Sequence, residues 1–218
     1  MRAGQRLVAS DGYEVALFPL EYLNMSQDEG GDYSHVGTYN IDFLGWGVLG
    51  RVLECPIYAP VTMKVVATWL NFSGGNAVFF ESVNPVHLAN GNLDYLTISF
   101  AHDSDPPITT IGQVVNQGDL CYHTGTYGNV TGDHVHTCCG EGQYQGVTSR
   151  PPQNHQDLTN RIHYWDAVFV NDTTIINGYN HNWITWTDPT PGFVEFPKSK
   201  FPWVLFANKI RKRTTTKR

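Results

Sequence analysis

Charge is scarce in this 218-residue chain: 16% of residues are Asp, Glu, Lys or Arg, against 41% that are hydrophobic. That balance excludes wholesale disorder and leaves enough apolar material for one substantial core. Basic residues are scarcer still in the body. Six of the fourteen (Lys209, Arg211, Lys212, Arg213, Lys217 and Arg218) fall in residues 209–218, where no acid lies, so residues 1–208 carry all twenty acids against the remaining bases. Such a body repels phosphates, so nucleic-acid binding is not expected of it. The basic end reads as a solvated terminus.

Two other shortages narrow the field. The four cysteines, Cys55, Cys121, Cys138 and Cys139, include no CxxC spacing, which excludes a thiolate zinc knuckle and gives no disulfide framework. Cys138 and Cys139 are adjacent and cannot face one side of a strand, so small buried residues are expected there. No apolar run approaches membrane-spanning length, and Leu7 to Leu20 is interrupted by Ser, Asp, Gly, Tyr and Glu. Neither a transmembrane segment nor an export signal is therefore expected.

Sustained helical periodicity is also missing; weak helical character is confined to Gln156–Ile162 and Trp203–Arg213. Short runs of β type stand instead between turn signals: Met63–Leu70, Ala77–Ser82, Leu93–Ala101 and His163–Val170. Asn90-Gly91-Asn92 has the chemistry of a hairpin turn. In Leu93–Ala101, Leu96, Ile98 and Phe100 alternate with Tyr95, Thr97 and Ser99, and His102 extends the Leu96–Ile98–Phe100 parity to the end of a core-facing row. The expected class is mainly β (β-rich α+β). The expected organisation is an N-terminal segment 1–30, a domain over 31–176, and an irregular Pro/Trp-rich extension with a basic tail over 177–218.

The densest chemistry lies in Gly132-Asp133-His134-Val135-His136. On a strand, side chains repeat direction every two residues, so His134 and His136 share a face and reach one metal ion or one substrate atom. Upstream stand His35, Asp42 and His102. A catalytic zinc site needs three ligands from His, Asp or Glu plus an open position for water. Further histidines can then move protons or steady developing charge. The isolated His87, His123, His155, His163 and His181 read as surface or hydrogen-bonded residues and receive no role.

These residues resemble the lysostaphin-like (M23/LytM) zinc endopeptidases of bacterial cell walls. The motifs run in family order from His35-Val36-Gly37-Thr38-Tyr39-Asn40-Ile41-Asp42 through Ile57-Tyr58-Ala59-Pro60 and Gly74-Gly75-Asn76-Ala77-Val78. They continue with Ser99-Phe100-Ala101-His102, Ile111 to Asp119, and Gly125 to His136. The resemblance covers roughly residues 33–140. It implies the antiparallel-sheet groove fold of those metallopeptidases, a Zn²⁺ held by His35, Asp42 and His136, His134 as general base, and His102 as the second uncoordinated catalytic histidine. The His-to-Asp separation is seven residues where the common family form has four, a wide spacing familiar from phage tail lysins. Thr137-Cys138-Cys139 stands where an aromatic and an acid usually follow HxH.

What the resemblance implies is hydrolysis of the peptide of bacterial peptidoglycan, in a groove walled by Leu44–Glu54, Ser82–Gly91, Asp103–Thr110 and the region after Gly140. Without an export signal or membrane span, such an enzyme fits a bacteriophage virion. The expectation is a tail-tip lysin acting on the cell wall during genome entry, made in the host cytoplasm, with 177–218 contacting other phage tail proteins. The alternatives are an endolysin acting at host lysis and a non-catalytic virion protein retaining the fold.

Overall fold

An eight-stranded antiparallel sheet organises the protein in the computed structural model, which describes residues 1–150, 155–170 and the pair 185–186. Its strands run, across the sheet, Val114–Val115, Met63–Trp69, Ala77–Ser82, Leu96–Ala101, Val135–Glu141, Ile41–Phe43 and Met25–Gln27, with Arg161–Ile162 also paired to Val135–Glu141. The three central strands are rich in Val, Ile, Phe and Thr, which suit a pleated and buried surface. The mainly β, antiparallel class expected from the sequence is the class observed.

Register sorts the side chains onto two faces. One face carries Ile41, Phe43, Met63, Val65, Val78, Phe80, Leu96, Ile98, Phe100, Val135 and Cys139, all buried in the main core with Phe18, Leu20, Leu23, Tyr122 and Tyr164. Residues 16–25 thus contribute to the same core as the sheet. The other face carries Asp42, His136 and Cys138, with Ala101 and Ser99 beside them, then Ala77 and Phe79. Cys138 and Cys139 accordingly point to opposite faces; all four cysteines are buried and free.

Several local expectations are corrected. His163–Val170 is not a strand: Tyr164–Ala167 forms a one-turn α-helix, because the Glu29 carboxylate accepts from the Tyr164 amide at 2.6 Å and satisfies an otherwise unpaired helix N–H. Gln156–Ile162 is not helical. His155–Leu158 pairs with Val147–Arg150, and Arg161–Ile162 joins the main sheet. Trp203–Arg213 and nearly all of 177–218 lie outside the described residues. The Ser82–Gly91 loop is not a wall of the site, since Ser82 is at the opposite end of its strand from Ala77, about 17 Å away at strand rise. Among the described residues no helix is long and apolar enough to cross a membrane.

Candidate metal centre

The site stands where three adjacent strands end in register. Asp42 is directly opposite His136, His136 opposite Ala101, Ala101 opposite Ala77, and Ala77 opposite Trp69. Directly opposed residues in an antiparallel pair share a face, so these five form one row across the sheet. Two alanines make a low floor between the His136 end and Trp69, a span of about 14 Å at strand spacing.

At the acidic end of the row, nitrogens and oxygens converge. His136 Nδ1 lies 3.0 Å from Asp42 Oδ1, His35 Nε2 lies 3.4 Å from the same oxygen, and His35 Nε2 is 3.3 Å from His136 Nδ1. His134 Nε2 approaches Asp42 Oδ1 to 3.7 Å. The His102 ring is centred 4.6 Å from that of His134 and 5.7 Å from that of His136. All five residues singled out in the sequence are thus brought together.

Backbone carbonyls decide how the rings present themselves. His35 Nδ1 is 3.0 Å from the Asp28 carbonyl, His102 Nδ1 is 3.0 Å from the Tyr127 carbonyl, and His134 Nδ1 is 2.8 Å from the Gly132 carbonyl. A carbonyl can only accept, so each Nδ1 carries the proton, and in the neutral ring Nε2 is left with its lone pair. Two such lone pairs, those of His35 and His134, stand 3.4 and 3.7 Å from one carboxylate oxygen of Asp42. Hydrogen bonds alone cannot satisfy so acceptor-rich a set, whereas a cation does.

The dimensions fit zinc. Zn–N and Zn–O bonds of about 2.0–2.1 Å in a tetrahedron place ligand atoms about 3.3–3.4 Å apart. The three separations among His35, Asp42 and His136 are 3.3, 3.4 and 3.0 Å. In the metal-free chain, burial raises the Asp42 carboxyl, but the His136 and His35 rings beside it outweigh that and hold the group well below the usual carboxylate range. His136 is lowered by burial, partly offset by Asp42. His102 is lowered to about 3, by burial first and then by His136 and His134 beside it.

His102 reaches the site by a route that strand alternation does not foresee. Ala101, of the opposite parity, occupies the metal-bearing row, and parity would send His102 to the core. The strand instead ends at Ala101, and His102 adopts φ +90°, which turns its ring toward His134. Close packing maintains that conformation. A Cβ at Gly125 would lie 2.1 Å from the His102 carbonyl oxygen, and one at Gly75 would lie 2.7 Å from His102 Nδ1. The Asn76 carbonyl accepts from the His102 amide at 3.3 Å and from the buried Tyr122 hydroxyl.

Other supporting residues were not visible in the sequence. Asp133 accepts from Thr124 Oγ1 at 2.7 Å and from the Glu54 amide at 3.0 Å. Arg51 donates to the Asp133 carbonyl and to the Gly45 carbonyl, joining the Trp46–Gly47 and Gly50–Arg51 hairpin to the residue before His134. These bonds tie the Leu44–Glu54 segment to the residue that precedes His134. On the metal-bearing face Phe79 and Cys138 are buried under Leu158, Tyr144 and Val147, so the segment after Gly140 closes the floor two residues along the strand from His136. His87, His123 and His163, which received no role, each pair with a carboxylate: Asp11, Asp103 and Glu29.

No family model matches the chain. It is 32% identical over 184 residues to Morphogenesis protein 1 of Bacillus phage B103, an alignment covering 82% of this chain and 47% of that protein. The chain therefore spans about half the length of that relative. Among solved structures it is similar to a zinc-containing peptidase from Vibrio cholerae, with 17% identity, TM-score 0.44, and 70% and 44% of the two chains covered. It is also similar to the catalytic domain of lysostaphin from Staphylococcus simulans, with 18% identity, TM-score 0.40, and 58% and 84% covered. A third likeness is to the catalytic domain of the prophage-encoded M23 protein EnpA from Enterococcus faecalis, with 18% identity, TM-score 0.41, and 68% and 93% covered. The second and third carry the names, lysostaphin and M23, of the family whose motifs the chain resembles.

Proposed function

We propose that the chain is a zinc-dependent endopeptidase that hydrolyses peptide bonds of bacterial peptidoglycan as part of a bacteriophage particle. The observation that carries this reading is the triangle of His35 Nε2, Asp42 Oδ1 and His136 Nδ1 at tetrahedral-edge spacing, flanked by two histidines left uncoordinated. A set of three ligands with neighbouring free bases suits an open catalytic site better than a closed structural one. When bound, zinc supplies a Lewis acid that polarises a carbonyl and acidifies water.

The chain's own residues do the rest. His134, with its proton held on Nδ1 by the Gly132 carbonyl, offers a lone pair on Nε2 and takes the proton of the attacking water. His134 then gives that proton to the amine nitrogen as the C–N bond breaks, so the leaving group departs neutral. His102, neutral for the same reason and with its ring 4.6 Å from that of His134, keeps an Nε2 lone pair that accepts from the water and orients it. The row Ala101–Ala77–Trp69 gives a thin peptide a shallow bed leading away from the ligands, with the hairpin held by Arg51 beside it.

The phage assignment draws on the relative from Bacillus phage B103. The wide His35–Asp42 spacing and the Pro/Trp-rich extension support a tail-tip role during genome entry in this reading, with 177–218 contacting other tail proteins.

Purified-wall digestion with the wild-type chain, Asp42→Asn and His134→Ala, together with metal analysis, tests the reading. Asp42→Asn is expected to lose zinc and clearing together. His134→Ala is expected to retain zinc while clearing slows by about 10²–10⁴-fold. Clearing indifferent to chelator and to both substitutions sinks the proposal.

A further inference from the structure

The loop that brings His35 to the site is tied to the body by a group of side chains that the mechanism above does not use. Resting on the zinc reading, we propose that Glu29 and His163, with the ring stack around them, form a clasp that aims His35 at the metal and sets the zinc affinity. They are positioning residues: neither touches the triangle of ligand atoms.

The clasp is built from both strands of contact at once. Glu29 is buried at 4% exposure, and its carboxylate accepts from His163 Nδ1 at 2.7 Å and from the Tyr164 amide at 2.6 Å. The residue before it, Asp28, supplies the carbonyl that fixes the His35 tautomer and the direction of its Nε2. Displacing Glu29 therefore displaces the acceptor that orients the ligand.

On its other side the His163 ring is sandwiched. Tyr39 stacks on it at 4.2 Å and 18°, and Trp165 stacks on it at 4.3 Å and 11°. Arg161 lies over Tyr39 at 4.4 Å and pairs with Asp157 at 2.7 Å, and Asp157 also accepts from the Tyr39 amide at 3.0 Å. One short segment, 157–165, thus grips the loop both before His35, at Glu29, and after it, at Tyr39.

Several further hydrogen bonds hold the loop to itself. They run from the His35 amide to the Gly31 carbonyl, from Thr38 to the His35 carbonyl, and from the Gly30 amide to the Thr38 carbonyl. Such bonds shape the loop without fixing where it sits on the sheet. Asp42 comes seven positions after His35, so its place on the strand transmits little order back to His35, and an outside anchor is required. Burying a carboxylate is unfavourable unless it is paired and hydrogen-bonded, which Glu29 is, twice.

The test is zinc affinity, measured by competition with a chromogenic chelator, together with the visible spectrum of the cobalt(II)-substituted protein, which reports ligand geometry. Glu29→Ala and His163→Ala are expected to weaken zinc binding by about 10–100-fold and to alter the cobalt spectrum. His87→Ala serves as the comparison, because it removes a similar His–carboxylate pair, with Asp11, that has no link to the His35 loop. It is expected to lower thermal stability while leaving zinc affinity and the cobalt spectrum as in wild type. Should Glu29→Ala fail to fold, Glu29→Gln decides, since it keeps an oxygen for the Tyr164 amide but loses the charge facing His163; about tenfold weaker zinc is expected. Clasp variants that bind zinc within about twofold of wild type, against that 10–100-fold expectation, overturn the clasp alone. A wild-type chain that binds no zinc overturns the functional reading and the clasp with it.

Discussion

His134 and His136 reach the Asp42 carboxylate from a strand, whereas His35 reaches it from a loop, and the two sides are held by different kinds of contact. On the strand side, register does the positioning: His136 faces Asp42 because the two are cross-strand partners, and Ala101 fixes the next column. Backbone packing completes it, through Gly125, which bridges to His134 and abuts the His102 carbonyl. On the loop side nothing is repetitive. The position of His35 depends on the Asp28 carbonyl, on Thr38, and on contacts arriving from residues more than a hundred positions later. Backbone-positioned groups tolerate most side-chain changes nearby, and side-chain-positioned groups do not.

The strand side should fail abruptly, and only where backbone meets backbone. Gly125→Ala puts a methyl group at a point 2.1 Å from the His102 carbonyl oxygen, with the Asp103 backbone also within 3 Å. Neither neighbour is a flexible side-chain end that can swing away. A loss of about 3 kcal/mol of stability is expected, with His102 displaced from His134. Chemical denaturation checks it, and a Gly125→Ala protein as stable as wild type would mean that the close approach is not what holds His102 at φ +90°.

The same residues show how far the sequence could be read. HxH, the strands around it and the paired faces follow from a period of two, which is a local property. His102 was placed in the site by motif resemblance, while its parity pointed to the core; the positive φ that resolves this is enforced by Gly75, Gly125 and Asn76, all distant in sequence. The short helix at Tyr164–Ala167 was hidden for a similar reason, since its unpaired amide is capped by Glu29 and not by a neighbour. Glu29 itself carries no local signal at all. Its partner His163 looked like one more isolated histidine, because a pairing across 134 residues leaves no trace in spacing.

A pH-dependent effect separates the uncoordinated histidine from the ligands. Buried and next to His136 and His134, His102 is lowered to about 3 from an ordinary value of 6.5. Above pH 6.5 the ring is neutral folded or unfolded, and no proton is exchanged on folding. Below that, the unfolded chain binds a proton that the folded one excludes, so stability falls as pH drops from 6.5 toward 3. The slope for this one group is about 1.4 kcal/mol per pH unit. Denaturation of metal-free wild type and His102→Gln at a series of pH values isolates it, because the acid loss contributed by Asp42 is common to both. Equal slopes in the two proteins would remove His102 from the account of acid sensitivity.

The smallest expected change lies on the loop side, and it discriminates best between the two modes of support. Thr38 is buried, and its hydroxyl donates to the His35 carbonyl at 2.9 Å while receiving the Asn40 amide at 3.4 Å. Thr38→Val keeps the volume and removes both bonds, leaving the His35 carbonyl with the Thr38 amide, which donates to it at 2.9 Å. About 1 kcal/mol is at stake. If the loop's shape is coupled to the ligand it carries, that energy is drawn from the metal-bound state, and zinc affinity falls by about fivefold. If the clasp at Glu29 and Tyr39 holds His35 whatever the loop does between them, zinc affinity stays at the wild-type value and only the melting temperature drops. Parallel chelator-competition and thermal-unfolding measurements on Thr38→Val separate the two, and so assign the positioning of His35 either to its own turn or to the distant segment that grips it.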